Sequence, residues 1–312
     1  MRARVATWLA VPELCFAQTE IRVDVQLVNV GFSVRDTQGK LVSDLGQDDF
    51  EVWEDGTPQK IAFFARSADA PLNLGLVVDI SGSQAAFIHQ HHKDVRTFLG
   101  EVLGKQDRAF LLCFASNPRL VADYSSSPKF LADALEGFDS VRDKTVYPML
   151  GPPELRTGGT SFYDAIYHSS VQMLANAERG RKALIIFSDG EDNSSAHTML
   201  EAIEAAQANN VLLFSVRYTD IRNGRLNARN KYGTSVMERI ARETGGAAFD
   251  AREKGLAEDF SQIGEQLRSV YELAYHSTNP DRDGTFRKIR IQVKRPGLTA
   301  RAKTGYYAQA PQ

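Results

Sequence analysis

The chain has few cysteines, little net charge and no long apolar run, and each of these excludes a class of protein. Its 312 residues include two cysteines, which are too few for a disulfide framework. The 37 Lys and Arg residues nearly balance 39 Asp and Glu residues, for a formal net charge of −2, which argues against nucleic acid as the main partner. No stretch is apolar over the length that a membrane-spanning helix needs. The sequence therefore predicts no transmembrane segment.

Residues 1–18 have the composition of a weak signal peptide. Arg2 and Arg4 form a basic start, and the apolar stretch from Val5 to Phe16 is broken by a proline and a glutamate. Ala17 is a small residue of the kind that precedes a cleavage site. The prediction is an exported protein, periplasmic or extracellular, with a disordered tail or a misassigned start as the alternatives.

The stretch from Leu72 to Ser83 looks like a buried strand that ends in oxygen ligands. Its apolar run is typical of a strand covered on both faces, as in a parallel sheet. Asp79, Ser81 and Ser83 follow at alternate positions. Open α/β sheets bind ligands at the C-terminal edge of their strands, and hydroxyl and carboxylate oxygens suit a hard cation such as Mg²⁺. The sequence therefore predicts a cation site where this strand ends.

Two later segments complete a recognisable pattern. Gly158 and Gly159 precede Thr160, whose hydroxyl is a further oxygen ligand, and a second apolar run over 184–187 leads to Asp189. Together with the first stretch, these segments resemble the metal-ion-dependent adhesion site of von Willebrand factor type A domains. The resemblance implies a Mg²⁺ or Mn²⁺ ion held by five residues: Asp79, Ser81, Ser83, Thr160 and Asp189.

Residues 71–270 alternate between predicted strands and helices. This alternation is typical of an α/β protein with a doubly wound, mostly parallel sheet. Six strands are predicted, and the one at 119–124 follows its predecessor so closely that it is expected to be an antiparallel edge strand. The pattern matches the von Willebrand A fold, so the resemblance extends over this whole region.

The two ends of the chain are typical of β structure. In residues 19–70 apolar and polar side chains alternate, as at Val28, Val30 and Phe32, and residues 271–312 contain further short strands. Neither set is large enough to be stable alone. The prediction is therefore a β-sandwich-like domain built from both ends, with the α/β domain inserted between them. Two separate small sheets are the alternative.

The flanking segments add to the resemblance. Residues 49–58, 287–294 and 305–307 are similar to those of the VWFA-related proteins first grouped from acidobacteria. The family resemblance implies a non-enzymatic protein-binding module, for adhesion or assembly, in which an Asp or Glu of a protein partner completes the coordination of the ion.

Other functions stay open alternatives. A structural envelope protein would bind its partner without the metal, and a metal-assisted hydrolase would use an open position on the ion. A dinucleotide enzyme would need a Gly-x-Gly-x-x-Gly motif after the first strand, which the chain lacks there. A serine nucleophile would need a base, and these motifs contain no histidine.

Two further clusters of charged or titratable residues have a less specific pattern. His89, His91 and His92 are predicted to lie on an exposed helix surface. Arg222 and Arg225, together with Arg229, are predicted to belong to a basic loop at the same sheet edge as the metal, where they would attract an acidic partner.

Overall fold

A computed structural model describes residues 27–66, 70–152, 158–177, 180–219, 226–252, 256–269 and 271–308. The predicted leader, residues 1–18, lies outside these ranges. In the described residues no helix is both long enough and apolar enough to cross a membrane. The strands are β1 (Leu27–Arg35), β2 (Phe50–Glu54), β3 (Thr57–Gln59), β4 (Ile61–Arg66), β5 (Leu72–Asp79), β6 (Arg108–Phe114), β7 (Pro118–Ser125), β8 (Arg181–Ser188), β9 (Val211–Arg217), β10 (Ala248–Asp250), β11 (Tyr271–His276), β12 (Phe286–Val293), β13 (Thr299–Ala302) and β14 (Gly305–Tyr307). The helices are α1 (Ile88–Val102), α2 (Pro128–Ser140), α3 (Phe162–His168), α4 (Met199–Ala208), α5 (Ala228–Thr244) and α6 (Leu256–Arg268).

The central sheet has six strands in the order β10-β9-β8-β5-β6-β7. All neighbours are parallel except β7, which pairs antiparallel with β6. Strand β5 is buried along its whole length because helices cover both faces of the sheet. Helices α1, α2 and α6 pack on one face, and α3, α4 and α5 pack on the other. The predicted doubly wound sheet and its antiparallel edge strand are confirmed.

Two antiparallel sheets are built from both ends of the chain. One has the order β13-β1-β11-β4 and the other β14-β12-β2-β3. They enclose one apolar core that includes Val30, Phe32, Phe50 and Tyr271. Strand β1 pairs with β11 and β13, and β2 pairs with β12, so the additional domain draws its strands from both ends as predicted.

A charged network lies inside this β unit. Glu54 on β2 and Arg287 on β12 are only 2% and 1% exposed, and their side chains are 3.5 Å apart. The Glu54 carboxylate also accepts hydrogen bonds from the hydroxyls of Tyr275 at 2.8 Å, Ser277 at 2.5 Å and Tyr306 at 2.9 Å. This network joins strands from both chain ends around one buried ion pair.

Two buried basic side chains each bind the C-terminal end of a helix. One belongs to the β unit and the other to the start of a strand in the central sheet. Lys303, between β13 and β14, donates to the carbonyl oxygen of Gln207 in the last turn of α4 at 3.1 Å. Arg181, at the start of β8, donates to the carbonyl oxygen of Leu267 in the last turn of α6. Cations are favoured at helix C-termini because the last carbonyl groups are unpaired there. Burial nevertheless lowers the pKa of Lys303 to about 8.

The α/β unit joins the β unit at the N-terminal edge of its parallel strands. The chain enters β5 at Leu72, a few residues after β4 ends at Arg66, and leaves α6 at Arg268 just before β11. The contact between Arg181 and α6 marks the same edge. The predicted cation ligands therefore lie at the edge remote from the β unit.

Candidate metal centre

Asp79 is the last residue of β5 and is completely buried. Its neighbours across the sheet are the ends of β6 and β8, because Asp79 pairs with Phe114 and Val78 pairs with Phe187. The Ser188 hydroxyl donates to Oδ2 of Asp79 at 2.6 Å, and the Ser81 backbone N–H donates to Oδ1 at 2.9 Å. The carboxylate is therefore fixed in orientation at the C-terminal edge of the sheet.

Ser81 and Ser83 lie where the chain turns from β5 towards α1. A short 3₁₀ turn over Gly82–Phe87 precedes the helix, and the two serine hydroxyl oxygens are 3.2 Å apart. Ser81 is buried, whereas Ser83 is exposed. The two hydroxyls therefore lie together beside Asp79, and the side of the site at Ser83 is open to solvent.

Thr160 is held at the same edge by two neighbouring segments. Gly159 has a φ of 95°, and a β carbon there would lie 2.7 Å from Oδ1 of Asn193, so the turn requires glycine. The Thr160 backbone N–H donates to that Asn193 oxygen at 2.7 Å. The next residue, Ser161, donates from its backbone N–H to the carbonyl oxygen of Ala115, just beyond β6, at 2.7 Å. Thr160 is buried.

Asp189 follows β8 directly and is 2% exposed. Its Oδ2 accepts a hydrogen bond from the Gln84 side chain at 2.9 Å, and its Oδ1 accepts one from the Glu191 backbone N–H at 3.1 Å. Gln84 also donates to the carbonyl oxygen of Tyr218, at 3.3 Å. The segment after β5 is thus bound to the segment after β8, which brings Asp189 beside Asp79.

The electrostatics of the site favour the binding of a cation. Burial and, to a smaller extent, the negative charge of Asp189 raise the pKa of Asp79 to about 7, against the lowering effect of the Ser188 and Ser81 hydrogen bonds. Two buried carboxylates that repel each other are costly unless a positive charge lies between them. In the part of the chain that the structure describes, no basic side chain is among the main causes of the shift at Asp79. The hydroxyl and carboxylate oxygens present are the ligands that Mg²⁺ and similar hard cations prefer, so the residues fit the implied ion.

A comparison with known protein families identifies the α/β unit. Residues 73–263 match the von Willebrand factor type A domain. The chain belongs to the von Willebrand factor type A family. Domains of this family mediate protein–protein interactions and are typically non-catalytic. The matched residues lie within the region 71–270 that sequence analysis predicted for the domain.

Several solved structures of low sequence identity also match. An aerotolerance-related membrane protein from Bacteroides fragilis NCTC 9343 is 15% identical, with a TM-score of 0.46 over 63% of this chain and 98% of that one. The conserved hypothetical protein BatB from Bacteroides thetaiotaomicron is 16% identical, with a TM-score of 0.46 over 62% and 96%. Proximal thread matrix protein 1 from the mussel byssus, described with a zinc-occupied MIDAS motif, is 14% identical, with a TM-score of 0.45 over 69% and 49%. No curated protein matches the chain.

Sequence analysis missed three side chains that support the candidate metal ligands of this von Willebrand factor type A domain. Ser188 fixes Asp79, Gln84 fixes Asp189, and Asn193 fixes Thr160. Gln84 is fully buried, which is unusual for glutamine. The sequence offered two signals for these supporting residues. Gln84 directly follows the second serine, and Ser188 directly precedes Asp189.

The predicted basic rim is only partly described. Arg222 and Arg225 lie outside the described residues. Arg229 lies in the first turn of α5, which begins at Ala228, so the prediction that it belongs to a loop was wrong. The side chain of Asn227 caps this helix and accepts a hydrogen bond from the backbone N–H of Asn230, which fixes the helix start before Arg229. The Arg229 guanidinium is 2.7 Å from the carboxylate of Glu191, two residues after Asp189.

The histidine cluster on α1 differs from its prediction. His91 is buried at 1% exposure and packs edge-on against the Tyr218 ring, with centroids 4.3 Å apart. Burial lowers the pKa of His91 to about 3, so it is a neutral core residue. His92 is half-buried and lies 2.5 Å from the Asp139 carboxylate. Only His89 is exposed as predicted.

Proposed function

We propose that the protein binds a protein partner through a divalent cation, in an adhesion or assembly role. The observation that carries this proposal is the burial of Asp79 and Asp189 beside each other at the strand ends, with a raised Asp79 pKa and, in the described residues, no basic side chain among the main causes that lower it. Such a site is stable when a cation occupies it. The cation is Mg²⁺ or Mn²⁺, because every assigned ligand is an oxygen.

Five residues would hold the ion: Asp79, Ser81, Ser83, Thr160 and Asp189. The bound ion would supply a positive charge at the site and could accept one more anionic oxygen ligand. Of the five residues, Ser83 is exposed and the other four are buried, so a partner can approach from the Ser83 side. Because the three hydroxyls are neutral, an Asp or Glu of the partner fits this position better than a neutral group.

A pull-down from the native envelope fraction tests this function. The full chain should retain a partner in Mg²⁺ and release it in EDTA. Retention in EDTA would support a structural protein with a metal-independent interface. Turnover of generic phosphate or ester substrates that depends on Mg²⁺ and Asp79 would support a metal-assisted hydrolase.

Mg²⁺ affinity should depend on pH through Asp79. Because its pKa is raised to about 7, a proton competes with the ion below that pH, and the affinity should fall roughly tenfold per pH unit below about 7. For the metal-free protein, the direction in which stability changes with pH is also defined. The folded state holds the proton to higher pH than the unfolded state, so this group's contribution to stability falls as pH rises from about 4 to about 7.

Calorimetric titration of Mg²⁺ between pH values of about 5.5 and 8.5 measures this dependence. The affinity should level off at the upper end of the range. A constant affinity across the range would show that Asp79 carries no competing proton.

The basic rim should affect the rate of partner association more than the lifetime of the complex. Replacing Arg222, Arg225 and Arg229 by glutamine should lower the association rate constant and reduce its dependence on salt, since exposed charges act mainly on encounter. Stopped-flow binding of the captured partner over a salt series measures both. Arg96→Gln is the control, because Arg96 is an exposed arginine with an acidic neighbour, Glu136. Equal association rate constants and salt dependences for the triple variant and wild type would contradict the proposed role of the basic rim.

We also propose that the protein is exported, on the basis of the basic and apolar composition of residues 1–18. N-terminal sequencing of the protein recovered from cell fractions tests this. An intact Met1 in a cytoplasmic fraction would contradict it.

A further inference from the structure

A second cluster of ligand-type side chains lies on helix α3 and the segment before α4. Asp164 and His168 are four residues apart on α3 and therefore share one face of the helix. His197 belongs to the segment that leads from Asp189 to α4. One ligand atom from each of the three residues lies within 4.8 Å of the other two. We propose that these residues form a separate site for a first-row transition metal of the Zn²⁺ type.

The chemistry of the three residues differs from that of the first site. Two imidazoles and one carboxylate suit Zn²⁺ and its neighbours, whereas Mg²⁺ prefers oxygen ligands. The Nδ1 of His197 and the Oδ1 of Asp164 are 2.7 Å apart. Two ligands of a tetrahedral zinc ion lie about 3.3 Å apart when metal–ligand distances are about 2.0–2.1 Å. A small widening of this contact would therefore bring these two atoms to the spacing of zinc ligands.

The space at the cluster fits one ion. A cavity of about 20 Å³ is lined by the three residues together with Asn117, Pro118 and Leu150 among others. A single water needs at least about 10–15 Å³, so an ion with one water or less can enter. Asp164 and His168 are 3% and 6% exposed, which limits binding to small species.

The surrounding structure holds the histidines in place. The His197 ring stacks on Tyr167, with centroids 3.7 Å apart and an interplanar angle of 15°. At Gly151, with a φ of 90°, a β carbon would lie 2.4 Å from Nε2 of His168, so the wall there must be glycine. Directly after His168 the helix changes to a π turn over Ser169–Leu174, and such turns are frequent at functional sites.

This second ion would order the segments that carry the first site. Asp164 follows Thr160 by four residues, and its carboxylate accepts hydrogen bonds from the backbone N–H groups of Ala196 and His197 at 2.9–3.1 Å. The segment between Asp189 and α4 is therefore fixed at its far end by the cluster. A bound ion would hold this segment in place without relying on the hydrogen bond between Asp164 and His197 alone.

The test uses untagged full-length Asp79→Ala protein, in which the first site is disabled. Zn²⁺ titrated calorimetrically should bind with a stoichiometry of one, and Co²⁺ should give the visible absorption of a site with nitrogen ligands. His168→Gln and His197→Gln in this background should each weaken Zn²⁺ binding at least tenfold. His89→Gln, a change at an exposed histidine on α1 near His92, should leave the affinity unchanged.

A measurement without further variants covers the case in which a histidine change impairs folding. X-ray absorption of the Zn²⁺-loaded Asp79→Ala protein should show two imidazole ligands. Absence of Zn²⁺ binding in Asp79→Ala, equal binding in the His168 and His197 variants, or a zinc shell without imidazole would each overturn the proposal. None of these outcomes bears on Mg²⁺ binding by the unmodified protein, so the two sites can be judged separately.

Discussion

Mg²⁺ should raise the melting temperature of the protein, and Asp79→Ala should abolish the rise. The ligands come from three chain segments that converge only in the folded state, so a cation that binds there stabilises that state alone. The stabilisation is about 2.7 kcal/mol at a hundred times the Kd. EDTA should reverse it, and partner binding should be lost in EDTA and in the Asp79→Ala variant.

The same variant should fold normally. Asp79 ends its strand, and its removal relieves repulsion with Asp189, so in EDTA the variant should be at least as stable as wild type. Asp123→Ala, at an exposed aspartate on β7, is the matched control and should keep the full Mg²⁺ response. A wild-type melting temperature that ignores Mg²⁺ and Mn²⁺ would refute the ion site. A metal-sensitive protein whose partner ignores EDTA would refute the adhesion mechanism and leave the site standing.

Arg287→Met should destabilise the β unit by about 3–5 kcal/mol, because it leaves the Glu54 carboxylate buried without its cation. Glu54→Gln combined with Arg287→Met should recover much of that loss, since glutamine is neutral. Its carbonyl oxygen can still accept from the hydroxyls of Tyr275 and Tyr306, and its amide group can donate to the Ser277 hydroxyl.

Urea unfolding followed by tryptophan fluorescence measures this effect locally. Trp53 lies in β2 next to Glu54, and the other tryptophan, Trp8, lies in the predicted leader. Arg290→Met is the control: Arg290 is exposed and stacks over the Trp53 ring at 5.0 Å, a contact worth about 0.5–1 kcal/mol. If Arg287→Met were no more destabilising than Arg290→Met, the buried pair would contribute little to the β unit.

The α/β fold was predictable because its signals are local. An apolar run such as Leu74–Val78 followed by a carboxylate identifies both a buried strand and its functional end. The hairpin between β2 and β3 was equally readable, because Asp55 and Gly56 both adopt a positive φ and this dipeptide favours such turns. The full set of five candidate ligands needed more than local signals, because it is implied only by the resemblance of three such segments to the adhesion site of the family.

Contacts between distant residues were not predictable from one sequence. Glu54 and Arg287 are separated by 233 residues, and nothing in either strand shows that the other charge lies beside it. His91 looked exposed because polar residues surround it in sequence, but Tyr218 covers it from another element. Nor does the sequence show that residues 299–307 divide into β13 and β14, which lie in different sheets because Lys303 turns towards α4 between them.

The attachment of the β unit at the strand starts determines how the molecule would carry mechanical load. A partner bound at Asp79 and an anchor on the β unit would pull on opposite ends of β5, along the strand axis. Its hydrogen-bond ladders to β6 and β8, which run from Asn73 to Asp79 and from Leu72 to Val78, would be loaded in shear. Their bonds would share the tension and fail together, whereas a strand peeled from its end breaks one bond at a time.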